Sequence, residues 1–247
     1  MSRKDGRSLT HLRPVHFDVG FVKHHPGSVL VSFGDTRVLC VATAEERVPP
    51  HRMGSGGGWL TAEYAMLPAS THDRKQRDIS KGKADGRSVE IQRLIGRALR
   101  NVVNIDVIGQ RTIHLDCDVI QADGGTRTAA ITGGWVALAL CMKDLQKRGL
   151  SMRAKSLKDA ITGQLAAVSL GILKDEILTD LCYEEDSKAE TDLNLVARAD
   201  GTIVEVQGTA EGAPMGRDQL IAVIDQGLVG VQELCAKQRA ALGGAWT

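Results

Sequence analysis

Aromatic side chains are scarce in this 247-residue chain, which has three Trp, two Tyr and three Phe, 3% of the whole. A surface of stacked rings is therefore excluded as the main grip on any nucleic acid, whose phosphates would have to be held instead. Five cysteines, Cys40, Cys117, Cys141, Cys182 and Cys235, stand singly, with no C-x-x-C pair and an odd total. That pattern excludes a disulfide framework and a zinc site, and the thiols are expected to be buried in a reducing cytosol. No apolar run approaches membrane-spanning length, and Met1-Ser2-Arg3-Lys4-Asp5-Gly6-Arg7 has no apolar stretch behind its charges. A soluble cytoplasmic protein with no membrane partner is expected.

Familiar catalytic signatures are missing too. The glycine pair at Gly124-Gly125 is not followed by Lys-Ser/Thr and lacks the G-x-G-x-x-G spacing, which argues against Walker-type nucleotide hydrolysis and a dinucleotide fold. The seven histidines show no H-E-x-x-H spacing, and there is no G-x-S-x-G elbow. His114 sits in an alternating strand and reads as structural or surface. No Pro/Gly/Ser-rich linker divides the chain, so one domain spanning 1–247 is expected, with Gly54 to Gly58 as a flexible loop tip. That patch runs into Trp59-Leu60-Thr61, a loop into a strand, which disfavours a small-molecule kinase.

The net charge is +1, too small for a non-specific nucleic-acid coat, yet the charges are segregated. From Arg74 to Arg100 nine Lys/Arg face three acids, whereas Asp175 to Asp192 holds eight acids and one lysine.

Periodicity supplies the elements. Val29–Phe33 and Arg37–Ala42 flank Gly34-Asp35 as a hairpin. Ile113, Leu115, Cys117 and Val119 alternate with polar residues as a half-buried strand. Leu193/Leu195/Ala197 and Ile203/Glu205/Gln207 flank Asp200-Gly201 as a second hairpin. Helical spacing runs from Ile91 to Val102, with Ser88 as N-cap, and from Ala130 to Leu145, where Gly133-Gly134 implies close packing. A third helix, about 218–241, carries Leu220, Ile221, Ile224, Leu228, Val231 and Leu234 as its stripe, and the last few residues form a tail. These elements predict a layered α/β (α+β) domain with a mixed, largely antiparallel sheet packed with helices, not a doubly wound parallel one.

Three constellations carry chemistry. In Asp116-Cys117-Asp118-Val119-Ile120-Gln121-Ala122-Asp123-Gly124-Gly125-Thr126-Arg127-Thr128 a strand meets two glycines, a hydroxyl and an arginine before a helix. The glycines permit close approach, the helix start favours anions, and Arg127 adds a planar fork. A mere tight connection is an equal reading of this turn alone. Lys81 to Ser88 repeats the theme with Gly86-Arg87, the alternative being a solvated basic surface; if Arg87 and Arg127 converge, they make a phosphate clamp. The acidic run Tyr183 to Asp192 reads alone as a solvated loop. Asp186 and Asp192 nevertheless bracket the start of a strand, where an extended chain would aim both to one side and suit Mg²⁺.

In that order the three resemble the ribonuclease PH family, bacterial phosphorolytic 3′ to 5′ exoribonucleases of tRNA 3′ ends. The likeness spans nearly the whole chain: Asp5-Gly6-Arg7, Gly34-Asp35-Thr36, Ala65-Met66-Leu67-Pro68, Gly86-Arg87 with Glu90 to Arg97, Asp116 to Arg127, Glu185-Asp186-Ser187 and Val206 to Glu211. It implies attack by inorganic phosphate on the last 3′ phosphodiester, releasing a nucleoside 5′-diphosphate, with reverse nucleotide addition. Arg87, Gly125, Thr126 and Arg127 would hold the phosphate. Asp186 and Asp192 would be catalytic and hold Mg²⁺ (or Mn²⁺), Asp192 nearest the leaving 3′-oxygen. Arg74, Arg77, Arg93 and Arg97 would contact RNA. The resemblance also implies a compact single-domain α/β fold related to a ribosomal-protein domain, a homohexamer of three dimers, and tRNA precursors, other RNA 3′ ends and rRNA as substrates. Relatives usually carry arginine after the Leu-Pro pair, where this chain has Ala69, so one RNA contact is expected to be missing. A catalytically silent RNA-binding ring subunit of the same fold is the alternative.

Overall fold

The computed structural model describes residues 3–148, 156–211 and 214–243. Among them run β1 (Val15–Val19), β2 (Ser28–Phe33), β3 (Thr36–Glu45), β4 (Trp59–Met66), α1 (Asp78–Lys81), α2 (Gly86–Arg100), β5 (Thr112–Gln121) and α3 (Thr126–Lys147). There follow α4 (Leu157–Ala160), β6 (Leu165–Leu173), β7 (Glu176–Thr179), α5 (Tyr183–Asp186), β8 (Thr191–Arg198), β9 (Ile203–Ala210) and α6 (Arg217–Ala241). The expected C-terminal tail lies almost entirely outside the described residues. No described helix is long and apolar enough to cross a membrane.

The strands form two sheets, ordered β1-β2-β3-β5-β4 and β7-β6-β8-β9. Among the described residues only β4 and β5 pair in parallel, so the mixed, mostly antiparallel character is as expected, divided between two sheets. Both predicted hairpins form, with Gly34 (φ 55°) and Gly201 (φ 87°) in the left-handed region their turns demand.

Helix α3 lies between the sheets, against β2 and β3 on one side and β6 on the other, and its buried residues occupy nearly every face. The Gly133-Gly134 pair allows this approach. A Cβ on Gly133 would fall 2.5 Å from Val31 Cγ1, and one on Gly134 2.7 Å from Leu115 Cδ2. Strand β6 is buried along its whole length, with α3 and α6 packed against it. Its apolar run has no alternation, which is why periodicity did not reveal it. One contiguous core runs through both sheets and the three long helices.

Several local expectations are corrected. The N-cap of α2 is Asp85, whose carboxylate accepts from the Arg87 N–H, while Ser88 is buried inside the first turn. Helix α3 starts at Thr126, four residues earlier than the apolar spacing indicates, so Arg127 belongs to its first turn. In α6 the expected Val231 and Leu234 are buried and Leu220 and Leu228 pack against the core, but Ile221 is exposed and the buried line also takes in Val223, Gly227, Gly230, Cys235 and Gln238. Small residues decide that face, since a Cβ on Gly227 would meet Leu195 and Leu170 at 2.7 and 2.8 Å. Gly57 and Gly58, expected in a loop tip, are buried against Asp106 and Ile108. Cys40, Cys117, Cys141 and Cys235 are buried thiols, and Cys182 is partly exposed.

Candidate active site

The turn after β5 is built on two left-handed glycines, Gly124 (φ 75°) and Gly125 (φ 65°), the second of which caps α3. The orphan N–H groups of the first helical turn and the positive end of its dipole therefore sit at Thr126 and Arg127. A Cβ on Gly124 would lie 2.5 Å from the Leu181 carbonyl oxygen and 2.8 Å from the Cys182 carbonyl carbon. The turn is thus a tight connection as well, seated on the backbone that leads into the acidic segment. Thr126 is fixed by a 2.8 Å hydrogen bond between its hydroxyl and that of Tyr64, a buried residue of β4.

Arg87, exposed in the first turn of α2, makes no ion pair among the described residues. Arg127 donates from Nη1 to Gln207 Oε1 on β9 at 3.0 Å and to Glu90 Oε1 on α2 at 3.4 Å. A cleft of about 440 Å³ is lined by Arg87, Gly124, Gly125, Thr126 and Asp186, with Met66, Ala122, His72 and Tyr183 among its other walls.

The carboxylates reach the site by a route the acidic run does not suggest. The chain between them is not extended: Asp186 ends the one-turn helix α5, and Asp192 is the second residue of β8. Burial pushes the Asp186 carboxyl up, opposed by Arg87 and Arg127. Asp192 is likewise raised by burial, then by Asp186 itself, against the pull of Arg127 and Arg87. Arg87 and Arg127 thus lie within electrostatic reach of both carboxyls, and of the four Arg87 and Asp186 line the cleft. Two half-buried carboxylates that repel each other are suited to a divalent cation, which needs only one or two protein carboxylates beside water and substrate oxygens. Among the described residues there is no group of three or more His, Cys, Asp or Glu placed to hold a metal ion.

Behind the site lies a polar scaffold that sequence reasoning missed. Arg13 pairs with Asp180 and also donates to the carbonyls of Asp123 and Gly124. Arg3 grips Glu185 with Nε and Nη2 at 2.8 and 2.6 Å, and donates to the carbonyls of Thr179 and Asp180. Arg7 reaches the Asp180 carbonyl at 3.2 Å. Arginines thus tie the glycine turn and the acidic turn to one frame. Of the three, the sequence singled out only Arg7, within the Asp5-Gly6-Arg7 part of the resemblance, and gave it no role.

Arg74 and Arg77 are exposed near α1. Arg93 and Arg97 are exposed on α2, along a separate shallow depression with Arg100, and Arg97 forms a forked ion pair with Glu205. None of these four lines the cleft.

Comparison with known proteins agrees with this geometry. The 3′ exoribonuclease family model for domain 1 matches residues 11–143, and that for domain 2 matches residues 163–230. The chain belongs to this ribonuclease PH family. Its first matched region carries the five-stranded sheet, α2 and α3, and its second carries the four-stranded sheet and the start of α6. Among solved structures, rice (Oryza sativa) Rrp46 superposes with a TM-score of 0.76 at 17% identity, covering 97% of this chain and 100% of that one. The Archaeoglobus fulgidus exosome with RNA bound to the active site superposes at 0.75 and 20% identity, covering 96% and 92%. At such identities the likeness is one of fold, and it confirms the α/β class with helices packed on two sheets.

Proposed function

We propose that this chain is a phosphate-dependent 3′ to 5′ exoribonuclease acting on RNA 3′ ends, tRNA precursors among them. What supports the reading is the convergence of Arg87 and Arg127 with Asp186 and Asp192, two cationic forks beside two carboxylates within a family of exoribonucleases. Arg87 and the Gly125-Thr126-Arg127 turn hold inorganic phosphate. One of its oxygens attacks the last phosphodiester, the bond to the upstream 3′-oxygen breaks, and a nucleoside 5′-diphosphate leaves. Two anions must meet for this, so the forks neutralise the nucleophile and orient it. Asp186 and Asp192 would hold Mg²⁺ or Mn²⁺, which would stabilise negative charge on the oxygens of the phosphoryl group under attack. Arg74 and Arg77 guide the RNA, and six copies assemble as three dimers in the cytoplasm.

A second reading is an RNA-binding ring subunit without turnover: the archaeal neighbour, an exosome with RNA bound, supports the RNA partner, and the engagement of Arg127 with Glu90 and Gln207 supports the loss of turnover. Incubating a 3′-extended tRNA with the protein and Mg²⁺, with and without phosphate, separates the two. Diphosphates released only with phosphate, and 3′ extension when nucleoside diphosphates are added, are the expected results. Monophosphates released without phosphate would overturn phosphorolysis, and binding with no release in either arm would favour the silent subunit.

A further inference from the structure

Two rings stand at the wall of the cleft. Tyr183 is 50% exposed, whereas Trp135, Phe33 and Tyr64 are buried. Its ring meets the imidazole of His72 with centroids 5.6 Å apart and planes inclined at 53°. Both residues line the cleft that holds Arg87, Gly125, Thr126 and Asp186, and both also line an adjoining cleft of about 510 Å³. The ring pair is thus the partition between them.

Tyr183 is held firmly at its backbone. Its N–H donates to Asp123 Oδ1 at 3.1 Å, and its carbonyl accepts from the Ser187 N–H at 3.0 Å. It opens the helical turn that closes with Asp186, and residues three apart on a helix are neighbours on one face. Its hydroxyl has no hydrogen-bond partner among the described residues, so the ring presents an apolar body to solvent beside the reacting groups. Met66 and Ala122 extend this apolar lining. The two clefts carry both signs, Arg87 in the first and Lys4 and Arg13 with Glu184 and Glu185 in the second, and the uncharged ring face between them fits the neutral base of a nucleotide whose phosphate lies toward Arg87. Every base has a π-face, so a ring platform binds without sequence preference.

We propose that Tyr183, backed by His72, is the platform on which the nucleobase of the RNA 3′-terminal nucleotide stacks. This rests on the exoribonuclease reading and adds that the nucleotide to be removed is held by its base as well as its phosphate.

The test is an RNA ending in 2-aminopurine, added to the protein without phosphate and followed by fluorescence. The wild type is expected to quench the terminal base, Tyr183→Phe to retain the quench, and Tyr183→Leu, which keeps bulk without a ring, to lose it. In turnover, Tyr183→Leu is expected to raise the KM for RNA about tenfold, and this penalty should vanish on RNA ending in an abasic ribose. An unchanged quench in Tyr183→Leu, an undiminished penalty on the abasic RNA, or a Tyr183→Phe variant as impaired as Tyr183→Leu would each overturn the platform. Binding needs no turnover, so a wild type that quenches the base yet releases no diphosphate would sink the enzymatic reading and leave the platform standing.

Discussion

Arg13 and Asp180 meet as a buried, two-pronged ion pair, Nε to Oδ2 at 3.0 Å and Nη2 to Oδ1 at 2.7 Å, and the Arg13 backbone N–H adds a third bond to Oδ2 at 2.7 Å. Asp180 is fully buried with a left-handed φ of 56°, a conformation that aspartate tolerates better than most residues. The rest of the Arg13 fork holds the carbonyls of Asp123 and Gly124 in the glycine turn. The pair thereby sets the distance between the two arms of the site.

Breaking it leaves a buried charge uncompensated. Arg13→Ala is expected to cost about 3–5 kcal/mol, and Asp180→Ala a similar amount. Urea unfolding of both single variants and the double variant checks this, with the double losing much less than the two costs combined.

Gly124→Ala forces a Cβ against the Leu181 carbonyl as well as a left-handed φ. Gly82→Ala, with φ +70° and open space around its Cβ, isolates the backbone cost of about 1–2 kcal/mol. Thermal melts should show Gly124→Ala as clearly the more damaging, and it alone should lower phosphorolysis by moving the acidic turn.

Arg127, to which the proposed function gives the phosphate, is already engaged by Gln207 and Glu90. Removing its fork in Arg127→Ala is expected to raise the KM for phosphate roughly 10- to 100-fold, the worth of a charge-assisted hydrogen bond. Glu90→Gln removes a competing anion 3.4 Å from Nη1 and should lower that KM by about two- to threefold. Phosphate titrations at saturating RNA read both effects.

Ala69 is exposed, so Ala69→Arg should be tolerated by the fold. One added phosphate contact should tighten tRNA binding and steepen its log–log salt dependence by roughly one unit. Binding isotherms over a salt series would show it, and an unchanged slope would remove this loop from the RNA path.

On the open face of the first sheet, Glu63 lies directly opposite Asp116. Burial and then Glu63 push both the Asp116 and Asp118 carboxyls above their ordinary range. Such groups stabilise the fold most at low pH, and their contribution is lost as pH rises through the folded-state value. Glu63→Gln should therefore gain about 0.5 kcal/mol near pH 7 and nothing below about pH 3.5. Denaturant melts at the two pH values test the sign.

Much of the fold was legible from the residues. The hairpins at Gly34 and Gly201 and strand β5 follow from turn chemistry and alternation, which are local. The burial of β6 was not, because a strand covered on both faces loses its period. The stripe of α6 was legible at Val231 and Leu234, but its centre was not, because Gly227 and Gly230 carry no hydrophobic signal yet pack close to the sheet. At the site, the glycine turn and the acidic run could be singled out, but each read alone as a connection or a solvated loop. Scarcity of aromatics likewise pointed away from ring contacts, although packing brings Tyr183 and His72 together at the cleft.

What the sequence determined by itself is the set of groups and their local frames: two helix starts bearing arginine, a left-handed glycine pair and a carboxylate-rich turn. These depend on backbone sterics and short-range hydrogen bonds that neighbouring residues decide. Only the tertiary structure determined that the groups face one another. Arg13 reaches Asp180 across 167 positions, and Arg127 reaches Gln207 across 80. Such pairings arise when α3 is buried between the two sheets, a global packing choice that no local pattern encodes.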